Sequence, residues 1–115
     1  MREPNSSFMN GVPELLILKV LSDREMYGYE LLQEIRQRTD TVVSLGEGVV
    51  YPILHSLEKG GALQSRRMTV QGRSRVYYSV TPEGHRRLSD LSSTWSRLTA
   101  AVQHIIAGGS HVGTI

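Results

Sequence analysis

Apolar residues change their period along this chain, and each change marks an element. From Leu15 to Leu21 they are nearly unbroken, with Leu15, Leu16, Ile17, Leu18, Val20 and Leu21. A segment apolar on almost every side must be covered on almost every side, which predicts a central first helix. Pro13 suits its first position, where the missing N–H would have had no partner. Residues 1–11, with Pro4, Asn5, Ser6, Ser7, Asn10 and Gly11, read as a flexible arm before it. Ser22-Asp23-Arg24-Glu25 reads as the turn that ends it. From about Tyr27 to Arg38 the period becomes helical and one-sided, with Leu31, Leu32 and Ile35 on one stripe.

A third helix follows a polar, β-branched connection. Val50, Ile53, Leu54 and Leu57 recur at helical spacing and point inward. Ser44 and Glu47 stand as a capping box, and Pro52, tolerable in a first turn, places the start near Glu47 to Val49. Gly60-Gly61 stops it. Two alternating runs come next, Leu63 to Thr69 and Arg73 to Val80, joined by Val70-Gln71-Gly72. In the second, Val76, Tyr78 and Val80 share one face, opposite Arg75, Tyr77 and Ser79. An isolated hairpin is barely stable in water, so its apolar face must rest on the helices. Thr81-Pro82-Glu83 then opens a last helix with an N-cap, a first-position proline and an early acid. Its apolar positions, Leu88, Leu91, Trp95, Leu98, Val102 and Ile105, are spaced 3, 4, 3, 4 and 3 apart, a heptad seam with no obvious cover in this chain. Gly108-Gly109-Ser110 ends it.

The expected fold is therefore mainly α with a two-stranded β-wing: a winged helix-turn-helix over 12–81, a dimerisation helix over 82–107 and a disordered tail over 108–115. At 115 residues the chain fits one domain, and 39% hydrophobic with 21% charged residues is ordinary for a globular protein. No apolar run approaches the ~20 residues of a membrane span, and Met1 to Gly11, with only Arg2 basic, lacks the apolar core of a signal peptide. Cysteine is absent, which excludes disulfides and thiolate metal sites and fits a reducing cytoplasm. The net charge of +2 says little, but its distribution says more. Lys59, Arg66, Arg67, Arg73, Arg75, Arg86 and Arg87 fall in one block opposed within it only by Glu83. Such a block is either a phosphate-binding surface or a solvated basic loop.

A DNA major groove admits one α-helix, and the third helix is the candidate. Its outward face shows Glu47, Gly48, Val49, Tyr51, Pro52, His55 and Lys59. Gly48 allows close backbone approach, and the helix N-terminus offers N–H groups to a phosphate. Tyr51 is suited to a phosphate or sugar contact, although a lone exposed tyrosine is more often plain surface. Arg73 and Arg75 flank the wing tip, with Arg66 and Arg67 on the partner strand. They suit a phosphate backbone or a minor groove, or alternatively protect an exposed edge strand from aggregation. Tyr27 completes the expected DNA-binding set. No cofactor or metal is expected: His55, His85, His104 and His111 share no ligand spacing, and Gly46-Glu47-Gly48 is too short for a nucleotide fingerprint. Without a Ser/His/Asp or phosphate-loop motif, an enzyme is not expected.

On Tyr27-Gly28-Tyr29-Glu30-Leu31, on the stretch from Gly48 through Tyr51-Pro52-Ile53-Leu54-His55 to Gly61, and on Arg75-Val76-Tyr77-Tyr78 to Gly84, the chain resembles the PadR family of bacterial transcriptional regulators. The likeness spans roughly residues 13 to 105. Val49-Val50 departs from the Thr-Leu more usual in the family, removing a hydroxyl at the DNA-facing position. The resemblance implies a homodimer on an inverted-repeat operator, usually a repressor released by a small molecule. One helix after the wing implies the short-C-terminus subgroup. Trp95-Ser96-Arg97 is similar to multidrug-sensing members, in which paired tryptophans sandwich planar aromatic ligands. Carried over by position, the effector lining would be Leu15, Leu18, Leu91 and Trp95, with Glu14 beside it; the alternative is that Trp95 packs as core of the dimer seam. A winged-helix protein-interaction module that never touches DNA is the competing function. RNA binding lacks the exposed aromatic platform used for single strands.

Overall fold

The computed structural model describes residues 6–109, with side chains from residue 11 onward. The element order is α1 (Ser6–Leu21), β1 (Met26–Tyr27), α2 (Gly28–Arg38), α3 (Glu47–Lys59), β2 (Leu63–Val70), β3 (Arg73–Val80) and α4 (Pro82–Ile106). The first helix starts earlier than its sequence pattern suggests. Residues 6–11, expected in the arm, are helical, and Pro13 stands inside α1 rather than at its first position. An interior proline removes one backbone hydrogen bond and costs about 3 kcal/mol. The fully buried Ile17, Leu18 and Leu21 that follow it contribute roughly 1.5–3 kcal/mol apiece, enough to hold the helix despite the missing rung. Residues 1–5 of the expected arm, and 110–115 of the expected tail, lie outside the described residues.

The core is one cluster that α1 threads. Ile17, Leu18, Val20 and Leu21 meet Leu31 and Ile35 of α2, Val50, Leu54 and Leu57 of α3, and Met26, Leu63 and Tyr78 of the sheet. The near-continuous apolar run of α1 is explained by this: the helix touches α2, α3, α4 and β3.

The sheet has three strands, ordered β1-β3-β2, all antiparallel. The hairpin has the expected faces, with Tyr78 buried and Val76 and Val80 packed on the core. Its loop is shorter than expected. Val70 belongs to β2 and pairs with Arg73, leaving Gln71 (φ 52°) and Gly72 (φ 78°) as a two-residue turn. Two successive positive φ values match the right-handed twist of the strands. The third strand, β1, is only Met26 and Tyr27, paired with Tyr78 and Tyr77. Two residues are too few to show alternation, and the helical pattern places Tyr27 at the start of α2. Instead it is the extended N-cap, and the helix starts at Gly28.

The capping box expected at Ser44 does not form. The α3 N-cap is Gly46, in extended conformation and with no side-chain cap. Leu45 is drawn toward the core instead, so the chain remains extended until it has passed that residue. Pro52 accordingly sits sixth in α3, past the first turn, where it removes the hydrogen bond to the Gly48 carbonyl.

The entry to α4 follows the expected capping more closely. Thr81 Oγ1 accepts from the Gly84 N–H at 3.0 Å and donates to the Gly61 carbonyl at 2.6 Å. The Thr81 N–H also donates to the Ala62 carbonyl at 3.1 Å. Three backbone segments thus meet at one point, the end of α3, the start of β2 and the start of α4. Gly84 is buried there, and a Cβ on it would fall inside van der Waals contact of the Ala62 carbonyl oxygen and the Val80 side chain. Gly84→Ala is expected to destabilise the fold by about 1–3 kcal/mol, the usual cost of overpacking against backbone. Urea unfolding monitored by circular dichroism checks this; an unchanged midpoint would refute the close-packing account.

Candidate nucleic-acid interface

The recognition candidate α3 buries Val50, Leu54 and Leu57 and turns its other side outward. Glu47, Gly48, Val49, Pro52, His55 and Lys59 are exposed, and Tyr51 is half-buried. At 100° per residue these do not form one line. Gly48, Pro52, His55 and Lys59 run along the middle of the exposed face. Val49 lies toward one edge, where it lines a cleft of about 390 Å³ with Pro13, Glu14, Ile53, Ser56 and Arg87. Tyr51 lies toward the other edge, facing the wing.

On the wing side, Tyr27, Gly28, Tyr51, His55, Ser74, Arg75, Val76 and Tyr78 enclose a second cleft of about 310 Å³ between α3 and β3. Gly28 makes this arrangement possible. A Cβ there would lie 2.5 Å from the Tyr51 ring and hydroxyl, so the tyrosine rests directly on the first turn of α2. This burial raises the Tyr51 pKa above its ordinary value, with smaller contributions from Glu47 and Tyr27, and the hydroxyl stays protonated as a hydrogen-bond donor. The ring of His55 is 6.4 Å from that of Tyr51.

The expected wing arginines are not equivalent. Arg66 is bound by Glu25 through two hydrogen bonds, one of 3.0 Å to Oε1. The Glu25 carboxyl is consequently held below its usual pKa, chiefly by that hydrogen bond. Arg67 donates to Ser74 Oγ at 3.1 Å and lies on the opposite face of the hairpin from Arg66, Arg73 and Arg75. Among the described residues, Lys19, Arg36, Lys59, Arg67, Arg73, Arg75 and Arg97 have no acidic partner. Four of these seven, Lys59, Arg67, Arg73 and Arg75, fall on the end of α3 and the wing, while the other three are single charges on α1, α2 and α4.

The remaining expected positions separate into two regions. Leu15, Leu91 and Trp95 come together around an apolar cavity of about 190 Å³, joined by Gly11, Val12, Thr94 and Leu98. Leu18 is fully buried in the core and is not among these lining residues. Glu14 also lies elsewhere, in an ion pair with Arg87 at the α3 cleft. Along the α4 seam, Leu88 and Leu91 pack on the core, whereas Trp95 is 37% exposed, Val102 48% and Ile105 73%. The seam is covered at its base and bare at its far end.

The residues from the buried part of α1 to the first turns of α4, 17–90, match the description "Transcriptional regulator PadR-like family". The chain belongs to the PadR-like family. Transcriptional regulator Rv3488 of Mycobacterium tuberculosis is 33% identical over 104 residues, covering 90% of this chain and 92% of that protein. A transcriptional regulator structure from Clostridium thermocellum superposes with a TM-score of 0.78 at 28% identity, covering 85% of this chain and 96% of the other. The structure of smu.1704 from Streptococcus mutans gives 0.74 at 35% identity, covering 94% and 95%. PadR-like membership makes this chain a transcriptional regulator of a winged-helix family rather than an enzyme. No helix among the described residues is long and apolar enough to cross a membrane, and no cluster of them has the makings of a metal site.

Sequence reasoning missed Ser56, exposed between Pro52 and Lys59, and Gly28 and Ser74 in the wing cleft. Ser56 was legible from helical spacing, being four residues past Pro52. Gly28 and Ser74 depend on how α2, α3 and the hairpin pack, which no local pattern carries. Gly28→Ala is expected to expel Tyr51 from its seat while leaving most of the core intact. Near-ultraviolet circular dichroism should show an altered tyrosine environment with retained helix content; an unchanged tyrosine spectrum would show that the ring does not rest on this glycine.

Proposed function

We propose that this chain acts in the cytoplasm as a homodimeric, sequence-specific DNA-binding repressor. The observation that carries the reading is the concentration of acid-free cations, Lys59, Arg73 and Arg75, around an exposed helix face. In this reading Gly48, Val49, Pro52, His55 and Lys59 approach the major groove, with Glu47 at the N-terminal turn and Tyr51 at the wing edge. The wing arginines contact phosphates or a minor groove. Arg66, already held by Glu25, contributes less than its neighbours. The α4 seam, bare beyond Trp95, supports pairing with a second copy, with Leu88, Leu91, Trp95, Leu98, Val102 and Ile105 as the contact edge. Two recognition helices about 34 Å apart would then read an inverted repeat.

Selection from random duplexes tests the partner, the symmetry and the half-site spacing together. Recovered palindromes are the expected result; failure to enrich any sequence would favour the protein-interaction module. Arg73→Ala with Arg75→Ala is expected to weaken all duplexes alike. The plot of log affinity against log salt should become shallower by about 0.9 for each phosphate that the wing no longer neutralises. An unchanged slope would remove the wing from the interface.

The apolar cavity beside Trp95 supports a small-molecule effector, a planar aromatic compound placed between the two copies. At about 190 Å³ it is smaller than the ~300–1,000 Å³ of ordinary ligand sites, which fits half of a shared site. Such a ligand releases DNA only by binding the released geometry more tightly than the DNA-bound one. Trp95 is the chain's only tryptophan, so quenching of its emission reports binding directly. Saturable quenching by planar aromatic dyes, abolished in Leu91→Gln, is the expected outcome; quenching that never saturates would argue for collision alone.

A further inference from the structure

The outer face of the sheet carries a chain of ring and charge contacts that begins at the shortest strand. β1 pairs with β3 so that Tyr27 stands opposite Tyr77. Their rings meet edge-on, with centroids 5.5 Å apart and planes at 67°. Arg75 is two residues before Tyr77 and therefore on the same face. Its guanidinium carbon lies over the Tyr27 ring, 4.3 Å from the centroid. The Arg66–Glu25 ion pair further ties β2 to the residues just before β1. The next residue along the chain, Gly28, is the seat of Tyr51. Two consecutive residues at the β1–α2 junction thus touch a wing arginine on one side and a recognition-helix tyrosine on the other.

We propose that Tyr27 is a positioning residue, one that acts on DNA through Arg75 by holding this arginine at a set angle to α3. The inference rests on the DNA-binding reading above and reassigns Tyr27 from a direct contact to a support. The physical reason is entropy. A free arginine side chain has many rotamers, and ordering it at an interface costs affinity. A ring that already holds the guanidinium removes part of that cost before the duplex arrives. The contact uses the cation's attraction to the ring quadrupole and needs none of its N–H donors, which remain for phosphate oxygens. Because the same junction seats Tyr51, the wing and the recognition helix are aimed together.

The test is a double-mutant cycle on the selected duplex, read by fluorescence anisotropy. Tyr27→Leu should weaken binding about two- to five-fold per half-site, the scale of an exposed cation–π contact. Tyr27→Phe, which keeps the ring, should bind as the parent does. In an Arg75→Ala background, Tyr27→Leu should have no further effect. Equal weakening in both backgrounds would overturn the proposal, because Tyr27 would then act without Arg75. A second measurement needs no DNA. Ring currents should move the Arg75 δ-proton resonances upfield in the parent and in Tyr27→Phe, and not in Tyr27→Leu. Random-coil positions in the parent would overturn the proposal even where DNA binding holds. If no duplex is selected at all, it is the DNA reading that fails, and the resonance shifts alone decide whether Tyr27 holds the arginine.

Discussion

The structure depends on covering α1. Ile17 and Leu18 have no exposed surface, and Val20 and Leu21 very little, so no single neighbour suffices. At about 25 cal/mol per Å², leaving one side bare would forfeit a large share of a small domain's stability, which is typically only 5–15 kcal/mol in total. The helix is enclosed because α2, α3, α4 and β3 all converge on it. That requirement places the outer elements. With Leu54 and Val50 turned to α1, the opposite side of α3 must face outward. With Tyr78 and Val76 turned to the same core, the tip of the hairpin must project beyond it. The exposed face of α3 and the projecting wing are what remain after α1 has been buried.

Sequence patterns reveal this architecture wherever an element is long and one-sided. The stripe of α2, the inward positions of α3 and the faces of the hairpin are as their spacing indicates, whereas the seam of α4, which reads as uncovered, packs Leu88 and Leu91 on the core. What local pattern does not show is set by tertiary contact. β1 is two residues long, so its strand character comes from the free edge of β3 and from Met26 being drawn into the core. The start of α3 is decided by Leu45 reaching inward, which overrides a plausible capping box at Ser44. Pro13 and Pro52 both suit a first turn by sequence, because proline disfavours helix interiors, and both lie deeper. In each case buried residues just beyond it, Ile17 and Leu18 or Leu54 and Leu57, outweigh one missing hydrogen bond. The site was legible to a similar degree. Residue types on α3 and the wing were readable, but which arginines are already occupied was not, since Glu25 and Arg66 are 41 residues apart in the chain.

That occupancy changes the electrostatic picture more than the net charge does. Arg24, Arg38 and Arg66 each meet acids from the first turn or from α2, and Arg86 and Arg87 meet Glu83 and Glu14. Exposed pairs like these add little stability, commonly under 1 kcal/mol. Their greater effect here is to offset five of the arginines that lie outside the wing tip and the end of α3. Among the described residues the cations left without an acidic partner are Lys19, Arg36 and Arg97, one each on α1, α2 and α4, and a group of four, Lys59 on α3 with Arg67, Arg73 and Arg75 on the wing. A chain with a formal charge of only +2 can in this way present a local field able to attract a polyanion.

The same pairs bear on how a change at α4 would reach α3. Its first turn is locked to the α3 exit by Thr81, which bonds Gly61 and caps α4 at once. Gly84 allows backbone to approach backbone there without a side chain between. One turn further on, Arg87 reaches across to Glu14 of α1, beside Val49 and Ser56 on the edge of α3. A rotation of α4 cannot be absorbed at a joint with that little slack. It must be passed to the end of α3 or break the Glu14–Arg87 pair, and an exposed ion pair yields more readily than packed backbone. The far end of α4 has no such restraint, since exposure rises from Trp95 to Ile105. A contact made at that end would therefore act on a lever whose fulcrum lies against α3.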